Sequence, residues 1–165
     1  MNEFNIFEIP RFRTQGGITL PVSIAYKTYG TLNSKRDNAV LIPTFYGGRH
    51  EDTEYFFSEG RVLDPKKHYI IVPNMIGNGY SSSPSNSPTA HRGRLFPLFT
   101  AYDNVSCQHA LVTQRLQLEK LRLVTGFSMG AQQAYQWGVN HSNMVEGILP
   151  ICGSAKISEH NRVFL

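Results

Sequence analysis

The chain has 165 residues, of which 41% are apolar, 17% charged and 12% aromatic, the make-up of one soluble globular domain rather than a disordered or collagen-like chain. At this size folding buries roughly 68 to 70% of the surface that the unfolded chain exposes, so no disulfide or metal staple is needed. Sixteen Lys and Arg against twelve Asp and Glu leave a net charge of +4, and the basic residues are scattered (Arg11, Arg13, Lys35, Arg36, Lys66, Lys67, Arg92, Arg94) with no stripe that alternates them with aromatics. That distribution reads as a solvated surface, and no nucleic-acid partner is expected. Cys107 and Cys152 match no zinc spacing and read as small buried apolar residues of a reduced, cytoplasmic protein.

The first ten residues mix Asn2, Glu3 and Glu8 with Phe4, Ile6 and Phe7, which is no signal-peptide core. No later apolar run reaches membrane-spanning length, so no membrane partner is expected. Val22, Ile24 and Tyr26 alternate with period two, predicting a half-buried edge strand of an antiparallel hairpin that Gly30 ends. Ala39 to Pro43 and Tyr69 to Pro73 are short continuous apolar runs, the pattern of parallel strands covered on both faces. Between them Glu54 to Glu59 reads as a short helix.

From Asn74 to Pro97 the glycines, prolines and the run Ser81-Ser82-Ser83 predict a long loop, either a functional one or a mobile surface excursion. Thr100 with Asp103 three residues later resembles a capping box, and Tyr102, Val105, His109, Val112 and Leu116 follow at helical spacing, so a helix is predicted to about Leu118. His109 lies on its apolar face and reads as a packing residue. Leu121 to Thr125 is the next strand, Met129 to Asn140 the next helix, and Gly147 to Ile151 another buried strand. Neither an internal repeat nor a second domain is visible.

One segment carries chemistry. The strand ending at Thr125 runs into Gly126-Phe127-Ser128-Met129-Gly130 and a helix begins at once, which is the context a nucleophile elbow requires. The serine there occupies a strained turn that lifts its hydroxyl above the strand ends, and Gly126 and Gly130 avoid a collision across that turn. The competing reading is a glycine-rich turn with a capping serine. A nucleophilic serine also needs donors aimed at the developing oxyanion. The Met129 backbone N–H, at a helix N-terminus, supplies one. Thr44 to Gly48, after the third strand, is placed to supply the other through the Tyr46 backbone N–H, unless Gly47-Gly48 is merely a turn.

A base and an orienting carboxylate are then required, in the order acid and histidine after the serine. Downstream of Ser128 stand only Glu146, Glu159, His141 and His160, and no aspartate. His141, thirteen residues on, lies roughly 20 Å away at the far end of the helix. His160 qualifies only in an atypical fold. The sequence therefore holds half a triad.

Ala25-Tyr-Lys-Thr-Tyr-Gly-Thr-Leu-Asn33, Asp37-Asn-Ala-Val-Leu-Ile42, Phe96-Pro97 with Asp103-Asn-Val105, and Gly126 to Gly130 running on to Gln133-Ala-Tyr-Gln-Trp137 together resemble the homoserine O-acetyltransferase family of the α/β-hydrolase fold. The resemblance implies an α/β chain, the N-terminal part of that fold, with a mostly parallel sheet, an antiparallel N-terminal edge and helices on both faces. It further implies one incomplete core domain over residues 1–165, with the lid, the last strands, and the triad aspartate and histidine beyond Leu165. The chemistry it implies is ping-pong acyl transfer, in which Ser128 takes an acyl group from acyl-CoA and passes it to an alcohol or amino-acid hydroxyl. Homodimerisation is a family-level expectation, and no metal or bound cofactor is implied. Pro43-Thr-Phe-Tyr-Gly-Gly48 and Gly77 to Pro84 depart from the family's segments and point to a divergent branch whose members acylate other alcohols or hydrolyse esters. A third reading is that the 165 residues alone are inactive and associate through an exposed last strand.

Overall fold

The structure, a computed structural model, describes residues 4–160. Six strands form one sheet in the order β1-β2-β4-β3-β5-β6. They are β1 (Asn5–Arg13), β2 (Thr19–Tyr29), β3 (Ala39–Leu41), β4 (Tyr69–Pro73), β5 (Leu123–Phe127) and β6 (Ile148–Ile151). β1 with β2 and β2 with β4 are antiparallel, and β3, β4, β5 and β6 run parallel. The expected architecture is thus present.

The N-terminal edge is β1 and not β2. Alternation in β1 is hidden by a register shift between Ile9 and Phe12, where Pro10 and Arg11 intervene, so the half-buried Phe7, Ile9 and Phe12 do not keep a period of two. β2 is interior, and its Leu20, Val22, Ile24 and Tyr26 are buried.

Two α-helices, α1 (Ala101–Ala110) and α2 (Met129–Asn140), lie on one face, where Val105, Val112, Ala134 and Trp137 meet Ala39, Leu41, Ile71 and Val124. On the opposite face Val40, Ile42, Ile70 and Val72 are covered by Phe57 with Phe56 and Leu63, around a 3-10 helix at His50–Phe56. That helix stands where Glu54 to Glu59 was expected, shifted toward the N-terminus by the Asp52 carboxylate that accepts the Arg49 N–H at 2.8 Å. α1 starts as expected, with the Thr100 hydroxyl accepting from the Asp103 N–H and the Asp103 carboxylate accepting from the Thr100 N–H. It stops earlier than Leu118, giving way at Leu111–Arg115 to a wider π turn.

The segment 74–97 is tied by hydrogen bonds to β2 and to the turn after β3. Ser81 and Ser82 accept the N–H groups of Ala25 and Ser23 at 3.0 and 2.8 Å, continuing along β2 where β4 has ended, and two short 3-10 turns, Thr89–His91 and Gly93–Leu95, follow. Cys107 is buried, as read from sequence, but Cys152 is exposed in the left-handed region at φ 51°, because it turns the chain at the end of β6. β6 itself is only partly covered, with Leu149 53% exposed, since it pairs with β5 alone among the described strands. Among the described residues no helix is long and apolar enough to cross a membrane.

Candidate active site

β5 delivers the chain to Ser128 and α2 departs from Met129. Between them Ser128 sits at φ 53°, ψ −114°, a conformation that residues with a side chain rarely adopt. Its N–H donates to the Ile151 carbonyl at 2.9 Å, so the end of β6 holds the turn. Its carbonyl accepts from the Ala131 N–H at 3.0 Å and opens the first turn of the helix.

The two elbow glycines are required by contact. A Cβ on Gly126 would lie 2.6 Å from the Gly130 carbonyl carbon, and one on Gly130 would lie 2.6 Å from the Pro43 carbonyl oxygen. Both obstacles are backbone and cannot rotate away. Gly153, just past the end of β6, closes the other side. A Cβ there would meet the Ala131 methyl at 2.4 Å and the Ser128 carbonyl oxygen at 2.8 Å.

The turn after β3 faces this elbow. Ile42 and Thr44 extend the parallel pairing to Ile71 and Pro73, and the chain then folds back with the Gly48 N–H donating to the Phe45 carbonyl at 2.9 Å. Tyr46 stands at the tip, 69% exposed, and its backbone N–H has no protein acceptor among the described residues. Met129 opens α2, so its N–H lacks an intrahelical acceptor. Phe45 meets Phe127 edge-on at 5.8 Å between ring centroids, forming an aromatic wall next to the serine. Tyr46, Gly48, Glu51 and Tyr55 line an open concavity of about 670 Å³ beside the turn.

Side-chain and backbone groups of the segment 74–97 clamp that turn, an arrangement that the length of the segment does not reveal in sequence. Asn78 Nδ2 donates to the Gly48 carbonyl at 3.1 Å, Asn74 Oδ1 accepts the His50 N–H at 3.0 Å, and the Met75 N–H donates to Thr44 Oγ1 at 2.9 Å. Arg49 lies over the Tyr80 ring at 4.4 Å, and the Tyr80 hydroxyl donates to Glu51 at 3.1 Å. Gln133 of α2 reaches the Thr44 carbonyl at 2.9 Å from the opposite side. The only sign of these clamps in the sequence was the density of Asn and Ser in the loop.

The histidines are engaged away from the serine. His50 is fully buried against Asn74, whose Nδ2 donates to Nδ1 across 3.1 Å, and burial pushes its pKa down. His109 packs as expected. It stacks face to face on His141 at 4.0 Å, beside Trp137, and burial lowers the pKa of both. His141 caps the C-terminal end of α2, opposite to Ser128, as its sequence distance indicated. His160 is exposed. No histidine among the described residues is hydrogen-bonded to the Ser128 hydroxyl.

Comparison with known proteins adds three likenesses. The chain is 41% identical over 163 residues to an ethyl acetate hydrolase of Pseudomonas veronii, covering 98% of this chain and 47% of that protein. It is 34% identical over 148 residues to a homoserine O-acetyltransferase of Chlorobium luteolum, covering 85% and 41%. It superposes on the solved acetyl esterase MekB with a TM-score of 0.96 at 40% identity, covering 99% of this chain and 48% of that one. The chain thus spans about half the length of the curated relatives it matches. A family model described as the alpha/beta hydrolase fold matches residues 40–163, from β3 through the elbow and beyond β6, and on that match and this topology the chain belongs to the α/β-hydrolase fold family.

Proposed function

We propose that this chain carries the nucleophile and oxyanion hole of a serine esterase that cleaves small acyl esters through an acyl-Ser128 intermediate. The observation that carries the reading is the backbone of Ser128, a non-glycine residue held at φ 53° between strand and helix by contacts that admit only glycine on either side. Such strain persists where a reactive group must be presented.

In this mechanism Ser128 Oγ attacks the ester carbonyl carbon and its proton passes to a general base. The carbonyl oxygen becomes an oxyanion that accepts from the backbone N–H groups of Met129 and Tyr46. Collapse of the tetrahedral adduct breaks the bond to the alcohol oxygen, which leaves protonated, and water then attacks the acyl-serine to release the acid. The base and its orienting carboxylate come from outside the described residues, because His141 and His109 are stacked on each other at the far end of α2.

Hydrolysis is placed ahead of acyl transfer, the order opposite to the one read from sequence, because relatives at 40 to 41% identity are named as an ethyl acetate hydrolase and an acetyl esterase while the homoserine O-acetyltransferase from Chlorobium luteolum stands at 34%. Acyl transfer from acyl-CoA to an alcohol such as homoserine is the second reading, favoured by that same similarity. Acetate release by the whole protein from ethyl acetate, followed with and without homoserine, separates the two. Release at an unchanged rate supports esterase action, and O-acetylhomoserine formed at the expense of acetate supports transfer. Ser128→Ala should lower turnover by a factor on the order of 10⁶ and abolish the mass increase left by a fluorophosphonate. Retained turnover would remove Ser128 from the nucleophile's role.

A further inference from the structure

A line of three buried polar side chains crosses the interior behind the elbow. Trp137 Nε1–H donates to Gln108 Oε1 at 2.9 Å, Gln108 Nε2 donates to Gln133 Oε1 at 2.6 Å, and Gln133 Nε2 donates to the Thr44 carbonyl at 2.9 Å and the Met129 carbonyl at 3.2 Å. All three residues are buried, so each bond is made in a low dielectric and each partner left unpaired would carry a desolvation cost. The direction of the line is chemically forced. An indole N–H only donates and a backbone carbonyl only accepts, so neither amide can flip without placing like groups face to face.

The line ends at a particular place. Met129 bears one proposed oxyanion donor, and Thr44 lies two residues before Tyr46, which bears the other. Gly130 already lets α2 approach the Pro43 carbonyl, where a Cβ would stand at 2.6 Å. The amide of Gln133 then ties the Met129 backbone to the Thr44 carbonyl, one peptide unit before the Tyr46 N–H. We propose that Gln133 is a positioning residue that sets the spacing of the Met129 and Tyr46 amides, with Gln108 and Trp137 holding its orientation. The proposal rests on the reading of those two amides as the oxyanion hole of Ser128.

Donor spacing matters more to a tetrahedral adduct than to a planar ester, so loss of the tie should act on kcat rather than on KM. In the whole protein Gln133→Met, which keeps length and removes both donors, is expected to lower kcat for a p-nitrophenyl acetate assay about 10- to 100-fold with KM moved less than about threefold. Affinity for a boronic acid, which forms a tetrahedral adduct on a serine, should fall by the same factor as kcat. A purely structural role would instead lower thermal stability and leave the ratio of boronic-acid to substrate affinity unchanged. Trp137→Phe removes the terminal donor together with the five-membered ring of the indole, and is expected to show the same kcat and boronic-acid pattern at about two- to tenfold, so the idea survives a Gln133→Met protein that does not fold. Parental kcat and boronic-acid affinity in a folded Gln133→Met, or in Trp137→Phe where Gln133→Met does not fold, would overturn the positioning role while Ser128→Ala remained inactive. Turnover in Ser128→Ala would instead overturn the nucleophile reading beneath it.

Discussion

A glycine hydrogen separates this elbow from a clash, and the separation differs by position. At Gly130 an alanine methyl would sit 2.6 Å from the Pro43 carbonyl oxygen, whereas at Gly147 its nearest neighbour is the Arg122 carbonyl oxygen at 4.0 Å. Gly130→Ala should therefore cost about 1–3 kcal/mol in urea unfolding, and Gly147→Ala under about 0.5 kcal/mol. The stacked pair His109 and His141 gives a second expectation at this scale. Burial lowers both pKa values below 6.5, so the folded protein holds these rings neutral while the unfolded chain takes up protons first. Their stabilising contribution is complete above about pH 6.5 and is lost as pH falls from there toward the folded pKa values. Denaturant midpoints measured across that interval should drop on acidification, and the slope should flatten in His109→Gln/His141→Gln. The elbow is legible in sequence because Gly126, Ser128 and Gly130 fall within five positions, although the contacts that fix Gly130 and Ser128 come from Pro43 and Ile151. Gln133 is not, because its partner Thr44 lies 89 positions away and a glutamine on a helix gives no sign of burial.

The elements that could be read were those whose signal is local. α2 begins and ends at Met129 and Asn140 as expected, and the Thr100–Asp103 box starts α1. Thr100→Ala should lower stability by about 1 kcal/mol, seen as a shifted thermal midpoint. β1 has no period-two signal because its register shift breaks the alternation, and without that signal β2 reads as an edge. The segment 74–97 shows the same limit. Its composition marked a loop, but what the loop holds depends on which carbonyls the fold brings to Asn74 and Asn78. Asn78 bonds both the Gly48 carbonyl and Asn74, so Asn78→Ala should release the turn at residues 45–50. Amide hydrogen exchange there should quicken while α2 remains protected, as expected for local opening that leaves the core intact.

Taken as a whole, the molecule has two unlike flanks. The β1 flank is broken up by Pro10 and bears Glu8, Arg11 and Arg13, features that discourage further strand pairing. The β6 flank carries Leu149 beside an α2 surface on which Val139 is 78% exposed, relieved only by Pro150. The 165-residue chain alone should therefore associate through β6, and Leu149→Lys should shift its sedimentation toward monomer. The single tryptophan of this chain is the anchor of the buried glutamine line, and that gives the interior an optical label. Its emission comes from one apolar spot behind the elbow, with the His109 and His141 rings at 6.0 and 4.9 Å. Water admitted by a broken line would move that emission to longer wavelength, and an imidazolium formed beside the indole would quench it, so a single fluorescence titration reads the packing of the elbow's support and the charge of its histidine neighbours together.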